Sequence, residues 1–455
     1  YLLTSVITVP IFGRLGDYYG RKPFVVAAIV LFTLASVLCG SADSMFTLVL
    51  ARALQGVGGG MLVGTAFASI PDLFPDPHVR LRWQVMLSSA FGIANAIGPT
   101  LGGALTEHYG WRSVFYVNLP VGLITLVLMW ALLPRTHTRE RKFDLFGFSM
   151  LALGLAALQL MLDRGAQQDW FDSIEIWIEL GVSVACLWMF AIHLITAQVT
   201  LFNRKMLADR NLVMGMGFMI VIGVVMFSSM ALLPPMLQRL FGWPVIDTGL
   251  VLAVRGIGIL MSMWVAGRLL GKIDARWMVG SGLLIAAYSL YQMSQWSLMM
   301  GTGPVVVSGL VQGLGMGLIF IPLNTMAFAT IPMQFRTDGS SLLNLFRSMG
   351  ASVGISVVTT LLGSNTQTSH QDLVAHVTNS SVSLVDPSTA DRFGIIGDVA
   401  MQMVNGEFNR QAAMVAYIDD FWLMMWVTLA AVPLVVLLRP PRPGAAKASA
   451  ADMGH

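Results

Sequence analysis

The sequence predicts an all-α polytopic membrane protein, and three observations carry that expectation. Hydrophobic residues make up 56% of 455 positions and charged residues only 11%, against roughly 25% charged in a soluble domain. The apolar residues fall in blocks of about twenty, the length a helix needs to cross ~30 Å of hydrocarbon. Inside lipid every backbone N–H and C=O needs an internal partner, so successive blocks of this length mean helices. The ten-residue alternating segments of a membrane barrel are absent from the sequence.

Taken in order, one partial helix (1–12) precedes twelve full ones, each an apolar block bounded by charged residues or turn formers: 24–42, 46–70, 84–105, 114–133, 145–162, 174–197, 211–233, 248–270, 277–296, 303–330, 340–362 and 419–438. One connection, 363–418, is long, polar and acidic. Its stretch from Val399 to Tyr417 has apolar residues at helical spacing. The tail 439–455 is rich in Pro and Ala and is expected to be disordered.

Basic residues orient the chain. Numbering the connections alternately, only Arg112, Arg164, Arg239, Arg392 and Arg410 fall on one side, and Arg52, Arg255 and Arg347 fall inside helices. The other nineteen of the 27 Lys and Arg lie on the opposite side, which the positive-inside rule makes cytoplasmic. A wrong helix count would scramble this alternation.

Composition also narrows function. The net charge of +3 is small and its basic residues are scattered, so nucleic-acid binding has no support. The sequence has no Gly-rich Lys-Ser/Thr phosphate loop, no HExxH and no clustered Cys/His ligands, so an ATP-driven pump, a metal site and an enzyme are not expected. Cys39 and Cys186 both lie in apolar blocks, where a thiol acts as a small hydrophobe.

Three motifs carry more. Gly13-Arg-Leu-Gly-Asp17-Tyr-Tyr-Gly20-Arg21-Lys22 sits in a cytoplasmic connection. Its glycines permit a tight turn, and Asp17 beside a helix start can accept from backbone N–H groups and pair with a cation. Arg52-Ala-Leu-Gln55-Gly56-Val-Gly58-Gly59 lies mid-helix, where an Arg costs at least ~2.5 kcal/mol on insertion scales and is a functional candidate. Gly98-Pro99-Thr-Leu-Gly102-Gly103 joins a lost helical hydrogen bond at Pro99 to glycines that admit a neighbouring helix.

These motifs resemble signatures of the major facilitator superfamily: the loop between its second and third helices, its fourth helix, and the fifth-helix motif of its antiporters. Ala94 stands where that last motif usually has a leading Gly. Trp111-Arg112-Ser-Val-Phe-Tyr-Val-Asn118-Leu-Pro120-Val-Gly122 and Ser340-Ser-Leu-Leu-Asn344-Leu-Phe-Arg347 are similar to the fourteen-helix EmrB/QacA-type drug:proton antiporters, and the long outer loop resembles the EmrB-like branch. Gly267-Arg268-Leu269 echoes Gly13-Arg14-Leu15, with Gly271 where Asp17 stood.

The resemblance implies two six-helix halves plus two extra helices, with the first helix upstream of Tyr1. The N-terminal half is then 1–133, the extra pair and its linkers 134–210, and the C-terminal half 211–438. It implies a bacterial inner-membrane exporter of small amphipathic or hydrophobic substrates. Energy would come from the proton-motive force without a cofactor, and a periplasmic membrane-fusion adaptor and an outer-membrane channel would be partners. A symporter, or an exporter of lipid, siderophore or another metabolite, is the alternative on the same fold.

Alternating access about a midplane cavity makes polar groups at helix depth the substrate candidates: Asn95, Arg255, Gln312, Asn324, Asn344 and Arg347. Proton coupling needs a carboxylate whose pKa depends on the side it faces, yet no Asp or Glu lies in the middle of a full helix, and Asp419 and Asp420 read as lying near a helix end. The coupling carboxylate is therefore expected in the missing first helix or at Asp247, and Arg52 is the other proton-coupling candidate.

Overall fold

The apolar blocks fold as helices, and little else forms. A computed structural model describes residues 4–5, 8, 16, 20–73, 77–133, 144–270, 272–332, 335–375 and 394–438. Twelve long helices run through them: α1 (Arg21–Gly40), α2 (Met45–Leu73), α3 (Pro77–Tyr109), α4 (Asn118–Leu132), α5 (Leu145–Arg164), α6 (Ile174–Thr196), α7 (Arg210–Arg239), α8 (Val245–Leu269), α9 (Ala275–Ser294), α10 (Thr302–Ala327), α11 (Arg336–Ala375) and α12 (Gly394–Ala431). Each of the twelve expected blocks has its helix. Among the described residues ten spans are long and apolar enough to cross a membrane, and α9 is long enough but less apolar. Residues 4, 5 and 8, the described part of the partial helix, are helical, and Thr8 lies against Gly60 of α2.

The helices pack in two groups. In the first, α1 lies against α2 and α4; in the second, α8 and α9 flank α10, α7 lies on α11, and α12 packs on α9 and α11. A contiguous buried apolar core fills the second group, with Leu212, Ile222, Leu290, Met293 and Phe421 at its centre. Small residues bring backbones together within it. A Cβ on Gly313 of α10 would lie 2.9 Å from the amide of Ile259 on α8, and one on Gly350 of α11 would lie 2.7 Å from the Cα of Ile220 on α7. Association without a hydrophobic gain between helix and lipid depends on such close contact. The two groups meet where α3 packs along α8.

The extra pair, α5 and α6, packs on itself and reaches the second group where Ser356 Oγ donates to the Leu162 carbonyl at 2.6 Å. One end of the pair is fastened by one carboxylate. Asp144 N-caps α5 by accepting from Gly147 N (2.8 Å), takes a second bond from Leu201 N (3.0 Å), and meets His193 Nε2 of α6 at 2.9 Å. His193, in an otherwise apolar helix, thus has a structural partner.

Three boundaries differ from expectation. The block 114–133 is interrupted at Val117, between a one-turn helix (Ser113–Tyr116) and α4, because Pro120 has no N–H to return to Tyr116. The last block ends as α-helix at Ala431 and continues as a 3-10 turn over Pro433–Leu437. The outer connection is the largest change. α11 runs to Ala375 and α12 begins at Gly394, so 399–417 is helical as its spacing predicts, while helix also covers 363–375 and 394–398 and is continuous with the spans. At 40 and 38 residues, these helices are about 60 Å long at ~1.5 Å per residue, twice the hydrocarbon thickness. Their outer parts are tied where His370 Nε2 donates to Asn405 Oδ1 (2.9 Å) and where Arg410 Nε donates to the carbonyl of Leu240, the residue that follows α7 (2.8 Å). Positions 376–393 and the tail 439–455 lie outside the described residues.

Candidate functional site

Two polar clusters stand in the helix core, one in each group. In the first, Arg52 and Gln55 are one turn apart on α2, so their side chains share a face. Arg52 Nη1 donates to Gln55 Oε1 at 2.7 Å, and the guanidinium also lies over the Phe115 ring, 5.5 Å from its centroid. Gln55 is buried and passes the network on: its Nε2 donates to Ser36 Oγ of α1 at 2.7 Å, and Asn118 Nδ2 of α4 reaches the same oxygen at 3.4 Å. Ser36 Oγ in turn donates to the Phe32 carbonyl. Gly58 lets α2 approach closely enough for this, since a Cβ there would lie 2.8 Å from the Phe32 amide.

The cytoplasmic motif leads into the same helix pair. Gly20 is the residue before α1, buried, with φ 90° and ψ 138°, a backbone region that L side chains rarely adopt. Arg21 is buried, Lys22 is half-buried, and a Cβ on Gly16 would lie 3.6 Å from both Arg21 and Thr65 of α2. Gly13 and Asp17 lie outside the described residues.

The second cluster joins α7, α8 and α10. Arg255 is 7% exposed and donates through Nη2 to the Met226 carbonyl at 3.2 Å. Gln312, fully buried, donates to Ser229 Oγ at 3.1 Å, one turn from Met226, and its Oε1 has no partner. A cavity of about 80 Å³ opens beside Arg255, walled by Met226, Met230, Leu233, Leu252 and Ile259. The Met-rich wall suits a pliable surface.

The other expected substrate residues are dispersed. Arg347 Nη2 donates to Asn344 Oδ1 at 3.0 Å, one turn away on α11, and Asn344 and Asn324 each donate back to their own helix. Asn95 and Pro99 lie on α3, with side chains outside the described set. Asp247 is exposed in the first turn of α8, where the helix dipole favours a carboxylate. Of the antiporter-motif glycines, only Gly103 meets the other half, with a Cβ position 3.2 Å from the Val245 carbonyl; at Gly98 and Gly102 a Cβ would meet nothing within 4 Å.

Two residues were not legible as site members. Ser36, the hub of the first cluster, is a common residue in an apolar helix. Asp420 was assigned to a helix end because the apolar run starts at Phe421, but α12 continues through it. The carboxylate is fully buried inside the helix, and neither oxygen has a hydrogen-bond partner.

Comparison with known proteins agrees with this architecture. The chain is 29% identical over 450 residues to the fatty acid resistance protein FarB of Neisseria gonorrhoeae, covering 97% of this chain and 87% of FarB. It is 28% identical over 448 residues to the multidrug export protein EmrB of Haemophilus influenzae, covering 96% and 87%. The crystal structure of the human organic anion transporter MFSD10 (TETRAN) superposes with a TM-score of 0.57 at 13% identity, over 94% of this chain and 81% of that one. The family described as Major Facilitator Superfamily matches residues 1–355. With its long apolar helices, the inter-half packing of α3 on α8 and this match over most of its length, the chain belongs to the Major Facilitator Superfamily.

Proposed function

We propose that the protein is a proton-coupled multidrug exporter of the bacterial inner membrane, working by alternating access. The observation that carries this is the α3–α8 seam. The helix bearing Gly98, Pro99, Gly102 and Gly103 is the one that packs along the opposite half, with Gly103 against the Val245 backbone. A glycine contact of this kind lets two rigid groups rock without side chains interlocking. The names of FarB and EmrB support export of amphipathic or hydrophobic compounds. Buried polar clusters in each half, that of Arg255 against a Met-lined wall, suit substrates held by few directional contacts.

The test is dye accumulation in cells expressing the full-length protein, with and without an uncoupler. Active export lowers accumulation, and the uncoupler restores it. Gradient-dependent uptake would instead favour a symporter, and export of lipid or siderophore without dye efflux would favour a metabolite exporter.

For the outer helices, the proposed partner is a periplasmic adaptor leading to an outer-membrane channel. Their length beyond the bilayer supports this, together with Phe408, half-buried on α12. Val399, Met401, Met403 and Val404 would extend that face, although their side chains lie outside the described set. Shortening the hairpin should leave substrate binding by the purified protein intact while abolishing efflux across the whole envelope. Loss of binding would make it a lid.

A further inference from the structure

We propose that the cavity beside Arg255 is a seat for the anionic headgroup of an amphiphile, a carboxylate or sulfonate whose apolar body lies toward the cavity mouth. The inference rests on the exporter reading and names a substrate class for it.

Arg255 carries a full charge in a nearly closed apolar setting. Such a group is stable only when compensated, and the protein compensates it poorly. Among the described residues its one hydrogen bond goes to the Met226 carbonyl, a neutral acceptor. The ion pairs among the described residues engage Arg112, Arg164, Arg410 and His193, and none engages Arg255. Pro234 and Pro235 in α7 supply no N–H to the carbonyls of Met230 and Ala231. That leaves free carbonyl acceptors on α7, but dipoles do not neutralise a charge. A guanidinium has five N–H donors in a fork matched to a carboxylate, so an anion with two oxygens is the ligand this geometry lacks.

Volume decides how much of the ligand enters. At about 80 Å³, where a water needs about 10–15 Å³ on the same measure and a drug-sized site about 300 Å³ or more, the cavity takes a headgroup and not a whole drug. Its walls are otherwise apolar, and Met230 at the mouth is exposed. A tail passing over Met230 would keep its apolar contacts while the head sits on Arg255. A cationic amphiphile would meet the guanidinium's charge at close range in low dielectric, where like charges repel strongly.

Three probes sharing a naphthalene ring test this: 2-naphthoate, 2-naphthylmethylammonium and 2-naphthalenemethanol. Each is titrated against the purified full-length protein in phosphatidylcholine discs with no proton gradient. Wild type should bind naphthoate about tenfold or more tighter than the other two, the order expected of a charge-assisted pair. Arg255→Met should lose that preference and Arg255→Lys should keep most of it. Met230→Trp, at an exposed position, should block naphthoate while leaving the charge in place.

Equal or tighter binding of the ammonium by wild type overturns the proposal, as does naphthoate binding unchanged in Arg255→Met or in Met230→Trp. If Arg255→Met does not fold, the wild-type preference and Met230→Trp still decide. Repeating the titration in phosphatidylglycerol discs separates the sources. Weakened naphthoate binding there makes an anionic lipid headgroup the resident of the same seat, and unchanged binding makes it a soluble amphiphile. Because no gradient is applied, failure of proton coupling leaves this result intact, and failure here leaves the coupling test intact.

Discussion

Gln55 on α2 donates to Ser36 on α1 across 2.7 Å while its carbonyl oxygen accepts from Arg52. One amide therefore joins a membrane-depth cation to a neighbouring helix. Gln55→Leu removes both bonds at once and keeps the volume roughly constant. The loss of these two bonds should cost about 1–3 kcal/mol, read as a lower melting temperature in detergent together with reduced efflux. An unchanged melting curve would mean that the cluster is not structural.

The positive φ of Gly20 gives a second prediction. Gly20→Ala places a Cβ at φ 90°, a conformation that costs on the order of 1–3 kcal/mol for a non-glycine residue. The variant should express less and melt earlier, while Gly301→Ala, where a Cβ meets open space, should not. Equal stability of the two would remove the case for Gly20 as a backbone requirement of the cytoplasmic motif.

At the inter-half seam, Gly103→Leu should impair efflux more than Gly98→Leu at matched expression. The first drives a side chain into the Val245 backbone, and the second meets nothing within 4 Å. The reverse order would show that the seam is made elsewhere along α3.

Asp420 offers a test with opposed readouts. A fully buried carboxylate without a partner is a cost that folding alone would remove. Asp420→Leu should raise the melting temperature, whereas a group kept for transport predicts that the same variant loses gradient-driven efflux. A variant that is more stable and fully active would assign the carboxylate no role.

The sequence made the spans legible because lipid imposes both a length and a composition, and each of the twelve blocks has its helix. Arg52, Arg255 and Gln312 were legible for the same reason: a strongly polar side chain inside an apolar run stands out. The outer end of α11 was not, since hydropathy falls to background once a helix leaves the bilayer and a polar helix then looks like a loop; in α12 the helical spacing of 399–417 was readable, but not its continuity with the last span. Asp420 was misplaced by that boundary. Ser36 was missed because its role comes from what α2 and α4 bring to it, which no single-helix pattern encodes. Asn344 and Arg347 were readable as polar, but not as partners of each other rather than of the Arg255 cluster.

The central claim is that outward substrate movement is driven by inward proton movement. Its most direct test uses the full-length protein in proteoliposomes preloaded with a pH-sensitive dye, with an imposed pH gradient and no other energy source. Adding substrate should accelerate proton flux down the gradient, and the gradient should drive substrate against its own concentration difference, both abolished by an uncoupler. Substrate movement that ignores the gradient, or runs in the same direction as the protons, would contradict the account.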